Sequence, residues 1–141
     1  MRLILSLCLV LILNTGFSQQ RTGFLVSTLY LHGVEGKAHG DVTFSMNFSD
    51  ARITVKVVPE ASSIVRDFKY LDLTFSLSDL QLISDIPGSH SYFKGIASDA
   101  DGLAYKFTCK LAKNGKSTFE LPELQLKLVG SEICKFTDSI N

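Results

Sequence analysis

The sequence predicts an all-β domain, an antiparallel β-sandwich or small barrel of about eight strands, which follows a cleaved signal peptide. Three observations support this fold class. Apolar and polar residues alternate along much of the chain, turn residues separate the alternating segments at even spacing, and the first residues form an apolar run without alternation.

The amino-terminal segment has the three parts of an export signal. An arginine follows the first methionine, residues 3–13 are apolar apart from one serine, and Gly16 and Ser18 are the small residues that precede a cleavage site. The apolar run has about eleven residues, whereas a membrane-spanning helix needs about twenty. The segment is therefore predicted to be a cleaved leader rather than an anchor.

Cleavage before Gln19 divides the chain into a signal peptide, residues 1–18, and a single all-β domain, residues 19–141. About 123 residues suffice for one hydrophobic core and are too few for two ordinary domains. We expect the mature chain to be secreted or extracellular, or periplasmic in a Gram-negative host, without a membrane span of its own.

Charge and composition restrict the classes of partner that this domain is expected to bind. The formal net charge is 0, and the lysines and arginines are scattered along the chain. A nucleic-acid partner is disfavoured, because such proteins concentrate basic residues on one surface. Phenylalanine is frequent and tryptophan is absent, which is compatible with a β core, and no motif calls for a cofactor.

The first predicted strands lie between residues 24 and 57. Residues 24–31 are apolar on both faces, and the glycine-rich residues 33–40 are expected to form a turn. The alternation of residues 42–48 predicts a half-buried strand, and residues 53–57 repeat the pattern after a turn at Ser49, Asp50 and Ala51. These two segments predict a β-hairpin.

A second group of predicted strands follows residues 59–67, which lack a β pattern. Alternation is clear in two segments and weaker in three others, with turn residues between them: residues 71–77, 103–111, 80–86, 92–98 and 133–136. The apolar parity shifts by one residue at Pro122, which predicts a bulge or a bend there.

The dipeptide Asn114-Gly115 is a strong signal for a hairpin turn. A two-residue loop would pair Cys109 with Glu120, placing a polar residue opposite an apolar one. A three-residue loop with a left-handed Gly115 pairs Cys109 with Phe119 instead. The second register is the one we expect.

Two cysteines, Cys109 and Cys134, remain after Cys8 leaves with the leader. An even number of cysteines in an oxidising compartment predicts a disulfide. Both residues fall on apolar faces of their strands, so the bond would be structural. The alternative is a pair of buried free thiols.

Metal-capable side chains concentrate around one glycine-rich segment, at His32, Glu35, His39 and Asp41. A tight hairpin could bring the two imidazoles and a carboxylate together as zinc ligands. The spacing matches no ligand motif, and glycines with polar residues are typical of an exposed turn. These four residues are therefore weak candidates, and no metal is assigned.

Three further motifs are weak. Asn47 begins a sequon that a eukaryotic host could glycosylate. His90 lies in a serine-rich loop and could act as a base, but no nucleophile motif accompanies it. Asp99 and Asp101 resemble the start of a calcium loop, although ordinary turn chemistry accounts for them as well.

Three classes of function remain, and no catalytic residue is assigned. The first is a secreted, non-enzymatic binding or structural domain that contacts a protein or a glycan. The second is a carrier of a small apolar ligand in a barrel cavity. The third is a small secreted metal-dependent hydrolase. A filled interior with an exposed apolar patch favours the first class, and an empty interior favours the second.

Overall fold

The computed structural model describes residues 18–57 and 73–139, except for the side chains of residues 18–20, 39–41, 57 and 137–139. Of the predicted leader, only Ser18 belongs to the described part. The segment predicted to lack β structure, residues 59–67, lies outside it.

The described chain forms nine strands and one turn of 3₁₀ helix. The strands are β1 (Ser18–Leu31), β2 (Val34–Asn47), β3 (Arg52–Val57), β4 (Leu73–Ile86), β5 (His90–Ser98), β6 (Ala104–Ala112), β7 (Ser117–Leu121), β8 (Leu126–Gly130) and β9 (Cys134–Ser139). The 3₁₀ turn, Pro122–Leu124, joins β7 to β8.

The strands close into an eight-stranded antiparallel barrel. Each strand from β1 to β8 pairs with the next, and β8 returns to pair with β1. The ninth strand continues along β1 beyond the end of β8, since Gly130 lies opposite Val26 and Cys134 lies opposite Gly23. The all-β prediction is confirmed, and the architecture is a barrel.

Four phenylalanine rings fill the middle of the barrel. Phe44 of β2 contacts Phe24 of β1 at a centroid distance of 5.0 Å and Phe119 of β7 at 4.5 Å. Phe119 in turn lies 5.8 Å from Phe107 of β6. The interior of an eight-stranded barrel is either filled by side chains or holds one small ligand, and here rings in mutual contact from four strands occupy its middle.

Both predicted hairpins are present, and the second has the register expected from the sequence. In the first, Val42 lies opposite Val57 and Asn47 opposite Arg52. In the second, Cys109 lies opposite Phe119, and Gly115 has a φ of 94°, in the left-handed region that favours glycine. The parity shift at Pro122 is produced by the 3₁₀ turn.

Two predicted features are wrong. The glycine-rich residues 33–40 are mainly strand, because the turn takes only His32 and Gly33 and β2 begins at Val34. Glycines hide the alternation in this part of the sequence. Similarly, residues 71–77 and 80–86 do not form separate strands, since β4 runs from Leu73 to Ile86 through two bulges.

No helix in the described part of the chain is long and apolar enough to cross a membrane.

Candidate interaction surface

One hairpin of the barrel extends beyond its neighbour. β3 pairs with β4 only as far as Ser76, and the Leu77 N–H then donates to the Ala51 carbonyl at 2.7 Å. Past this point β4 pairs with β5 as far as Ile86. In the described part of the chain, no strand lies along the other edge of residues 78–86. We call residues 78–95 the projecting hairpin.

The projecting hairpin carries exposed aliphatic side chains. Nine large apolar side chains are exposed among those described, and four of them are Leu80, Leu82, Ile83 and Ile86. Leu82 is 55% exposed, and both isoleucines are 50% exposed. Single exposed apolar residues are common on protein surfaces, but four fall within this one short segment and form a patch that covers both of its faces, since Leu82 lies opposite Phe93 and Ile86 opposite His90.

The patch continues to the rim of the barrel. Leu82 lies opposite Phe93 of β5. The Phe93 ring lies 5.7 Å from the ring of Phe48, which follows the last residue of β2 and is 45% exposed. The exposed aliphatics of β4 therefore adjoin an aromatic pair.

Hydrogen bonds attach the tip of the hairpin to the loop between β6 and β7. The Lys113 N–H donates to the Ser89 carbonyl at 2.6 Å, and the Asn114 side-chain amide donates to the Gly88 carbonyl at 3.0 Å. These two contacts attach the turn at Gly88 and Ser89 to the neighbouring loop, which restricts movement of the hairpin tip.

The weak metal candidates stay a prediction, because only two of their four side chains are described. His32 occupies the tip of the β1–β2 hairpin, and Glu35 forms an ion pair with Lys37 at 3.3 Å. Lys37 lies opposite Thr28, so His39 is about 14 Å or more along the strands from His32. The side chains of His39 and Asp41 lie outside the described part, and among the described residues no three metal-capable side chains cluster.

The loop histidine has a serine partner but no further orienting group in the described structure. Ser89 Oγ lies 3.1 Å from His90 Nδ1. The nearby carboxylate of Asp85 instead accepts a hydrogen bond from Ser91 Oγ at 2.7 Å. A serine nucleophile requires a base that is itself oriented by a third group, and this arrangement lacks that group.

The sequon asparagine is more buried than its position on a polar face suggested. Asn47 is 6% exposed, and its Oδ1 accepts a hydrogen bond from the Asp50 N–H at 3.0 Å. The side chain thus stabilises the turn between β2 and β3. Glycosylation at Asn47 stays a prediction, and this burial disfavours it.

Asp99 fixes the turn that the calcium interpretation had singled out. Its Oδ1 accepts hydrogen bonds from the backbone N–H groups of Asp101 and Leu103, both at 2.9 Å. An aspartate that bonds its own following backbone is typical of a polar turn. Turn chemistry is therefore sufficient to explain this segment.

The predicted disulfide is not found in the structure, where Cys109 and Cys134 are both free. Cys109 faces the barrel interior and is completely buried, whereas Cys134 begins β9 opposite Gly23 and is half-buried. Burial raises the pKa of both thiols, so both are held in the protonated form. The sequence placed both cysteines on apolar faces, but it could not place β9 relative to β6.

Comparison with known proteins finds no match: no protein-family model, no curated protein and no solved structure is detectably similar to this chain.

Proposed function

We propose that this chain is an exported, non-enzymatic binding domain that contacts another protein through the projecting hairpin. The observation that carries the proposal is the exposure of Leu82, Ile83 and Ile86 on a hairpin that is anchored to its neighbouring loop. Exposed aliphatic side chains that are concentrated on one short segment are disfavoured in water unless a partner covers them.

The filled interior supports a binding domain over a carrier. The ring of Phe44 contacts rings from β1 and β7, and Phe119 continues the contact to β6. An apolar ligand would have to displace these rings, each of which contributes substantially to the stability of the core.

The chemistry of the hairpin favours a protein over a lipid surface. Among the described residues no strand pairs with the outer edge of β4 between residues 78 and 86, and unpaired backbone N–H and C=O groups cannot be satisfied by hydrocarbon. Asp79 and Asp85 also lie on this segment, and carboxylates are repelled by anionic lipid headgroups. A polypeptide can cover the aliphatics and bond the backbone groups.

Site-specific photo-crosslinking in the native host tests the proposal. A benzoylphenylalanine would replace Leu82 or Ile86 in one pair of variants, and Leu103 in a matched control. Leu103 is 57% exposed and follows the turn between β5 and β6, at the opposite end of the barrel. We expect one defined protein to be crosslinked from positions 82 and 86 and none from 103.

Two outcomes would contradict the proposal. In one, all three positions crosslink to the same mixture, which indicates non-specific contact. In the other, none of them crosslinks, while delipidated protein gains thermal stability from palmitate or retinol. The carrier function would then be the better explanation, because a ligand bound to the native state raises its unfolding midpoint.

A further inference from the structure

A cavity of about 380 Å³ lies on the outside of the barrel at the base of the projecting hairpin. Its walls come from three adjacent strands, β4, β5 and β6. The polar and apolar side chains that line it are Asp79, Gln81, Lys94, Ile96, Lys106 and Thr108. This volume is within the range of sites that hold small molecules.

A bulge in β4 forms one wall of the cavity. Ser78 lies opposite Ile96 and Gln81 lies opposite Lys94, so Asp79 and Leu80 together face the single residue Gly95. Asp79 adopts a φ of 49°, a left-handed conformation that is uncommon for a residue other than glycine. Bulges of this kind are often found beside functional sites, where they redirect side chains.

Glycine is required at position 95, which lies between the bulge and the core. A Cβ atom there would lie 2.9 Å from the Phe107 ring and 3.0 Å from the Ser78 carbonyl oxygen. Any other residue would push β4 and β5 apart or displace the ring. The shape of the cavity is thus determined by the sheet and the core beneath it, and not by a loop.

Two lysines place positive charge over the cavity. Lys94 lies opposite Thr108 and Lys106 opposite Ile96, so the lysines are diagonal neighbours across β5 and β6. Diagonal residues in an antiparallel pair are about 7–8 Å apart, which lets two flexible ammonium groups reach one anionic group.

Neither cavity lysine takes part in an ion pair within the described part of the chain. By contrast, Lys37 and Lys127 each pair with a glutamate at 3.3 Å. The Asp79 carboxylate lies on the β4 side of the cavity and repels an anion there. On the opposite side, the Glu123 carboxylate accepts a hydrogen bond from the Lys106 N–H at 3.2 Å, so an anionic group is favoured between the two lysine ammonium groups rather than at the Glu123 end.

We propose that this cavity binds a small molecule with one anionic group, a carboxylate or a phosphate, attached to an apolar body. Lys94 and Lys106 bind the anionic group, and Ile96 packs against the apolar body. Gln81 and Thr108 supply hydrogen bonds, and Asp79 accepts one from a donor at the far end of the ligand. The site shares Asp79, Gln81 and Lys94 with the projecting hairpin, whereas the protein contact is proposed at Leu82, Ile83 and Ile86.

Amide NMR shifts of the mature domain test the cavity directly. The probes are hexanoate and phenyl phosphate, with hexanol and phenol as uncharged counterparts. We expect saturable shifts at Gly95, Ile96 and Lys106 with an anionic probe. Lys94→Gln or Lys106→Gln should weaken that binding about tenfold, as expected for the loss of a charge-assisted contact. The better of the two anions identifies the carboxylate or the phosphate class.

Lys110→Gln is the matched control, because Lys110 lies on the same face of β6 but outside the cavity lining. Thermal unfolding of all three variants should show that these surface lysines leave the fold intact. The proposal is wrong if the uncharged probes bind as tightly as the anions, if Lys110→Gln weakens binding as much as the other two substitutions, or if no probe saturates.

Discussion

The ring of Phe44 stacks on the ring of Phe119 at a centroid distance of 4.5 Å, with 28° between the ring planes. The two residues belong to β2 and β7, which are separated in the wall of the barrel by β1 and β8. The stack therefore connects two non-adjacent parts of the wall through the interior. In the described part of the chain, the middle of the barrel is therefore packed with aromatic side chains.

We expect Phe44→Ala and Phe119→Ala each to lower the free energy of unfolding by about 3–5 kcal/mol, because each leaves a cavity in a packed core. The loss in the double variant should be about 0.5–1.5 kcal/mol smaller than the sum of the two single losses. The reason is that the contact between the two rings is already absent once either phenylalanine has been replaced. Urea unfolding of the full cycle measures the coupling. If Phe44→Ala unfolds the chain, Phe44→Leu can replace it in the cycle. Additive losses in the double variant would show that the two rings do not stabilise each other.

Substitutions in the projecting hairpin should separate association from stability. Leu82→Ser and Ile86→Ser are expected to change the free energy of unfolding by less than about 0.5 kcal/mol, because both side chains are half-exposed or more. Both should reduce binding of an apolar fluorescent dye to the folded protein. Leu103→Ser serves as the control and should leave dye binding unchanged. Equal dye binding in all three variants would show that the hairpin is not an apolar patch.

Asp99→Ala should lower the free energy of unfolding by about 1–2 kcal/mol, since it leaves the backbone N–H groups of Asp101 and Leu103 without their acceptor. Asp101→Ala removes a neighbouring carboxylate that accepts neither bond, and it should have little effect. Urea unfolding compares the two variants. Calcium should leave the midpoint of the unmodified protein unchanged, and a calcium-dependent rise would restore the calcium interpretation.

The cysteines should titrate as two free thiols in denaturant. In the folded protein, half-buried Cys134 should react with a thiol reagent well before the fully buried Cys109. Mass spectrometry without reducing agent provides an independent measurement. An intramolecular disulfide in purified protein would favour the pairing expected from the sequence over the structure described above.

Burial of Cys109 should also make stability depend on pH. Its pKa is raised in the folded state by burial, so the folded chain keeps the proton that the unfolded chain releases near its ordinary pKa of about 8.5. Stability should hold below that pH and fall as the pH rises above it. Urea midpoints between about pH 7 and 10 measure this slope. Cys109→Ala should flatten it, with a smaller slope left by Cys134, and an unchanged slope in the variant would assign the effect to other groups.

Cleavage before Gln19 predicts the mass of the exported protein. The secreted form should begin at Gln19, and Ser18→Leu should block or shift the cut, because a large residue is disfavoured immediately before the cleavage site. Intact-mass analysis of culture medium or periplasm identifies the amino terminus. If only the full-length chain were recovered, and only inside the cell, residues 1–18 would not be a cleaved signal peptide.

Local patterns predicted the parts of the fold that depend on neighbouring residues. Asn114-Gly115 and the parity of Cys109 and Phe119 were enough to establish the β6–β7 register. The alternation of residues 42–57 was enough for the β2–β3 hairpin. In both cases a short turn links two patterned strands, so that only one register buries both apolar faces.

The parts of the fold that could not be predicted depend on contacts between residues that are far apart in the sequence. The choice between sandwich and barrel depends on the pairing of β1 with β8, for which residues 24–31 contain no local signal. The sequence did not predict the projecting hairpin either, because the hairpin arises only where β4 extends beyond the end of β3. The apolar run of residues 80–86 was visible, but its exposure could not be read from the sequence alone.

The pairing of β1 with β8 and β9 also bears on how the protein is made. β1 leaves the ribosome before any other described strand, yet its second edge is completed only when Gly130 and Cys134 have been added. Contacts of such long sequence separation form slowly, so the nascent chain stays open until its synthesis is nearly finished. A translocation channel requires an open chain, so late closure of the barrel is compatible with the export predicted from residues 1–18.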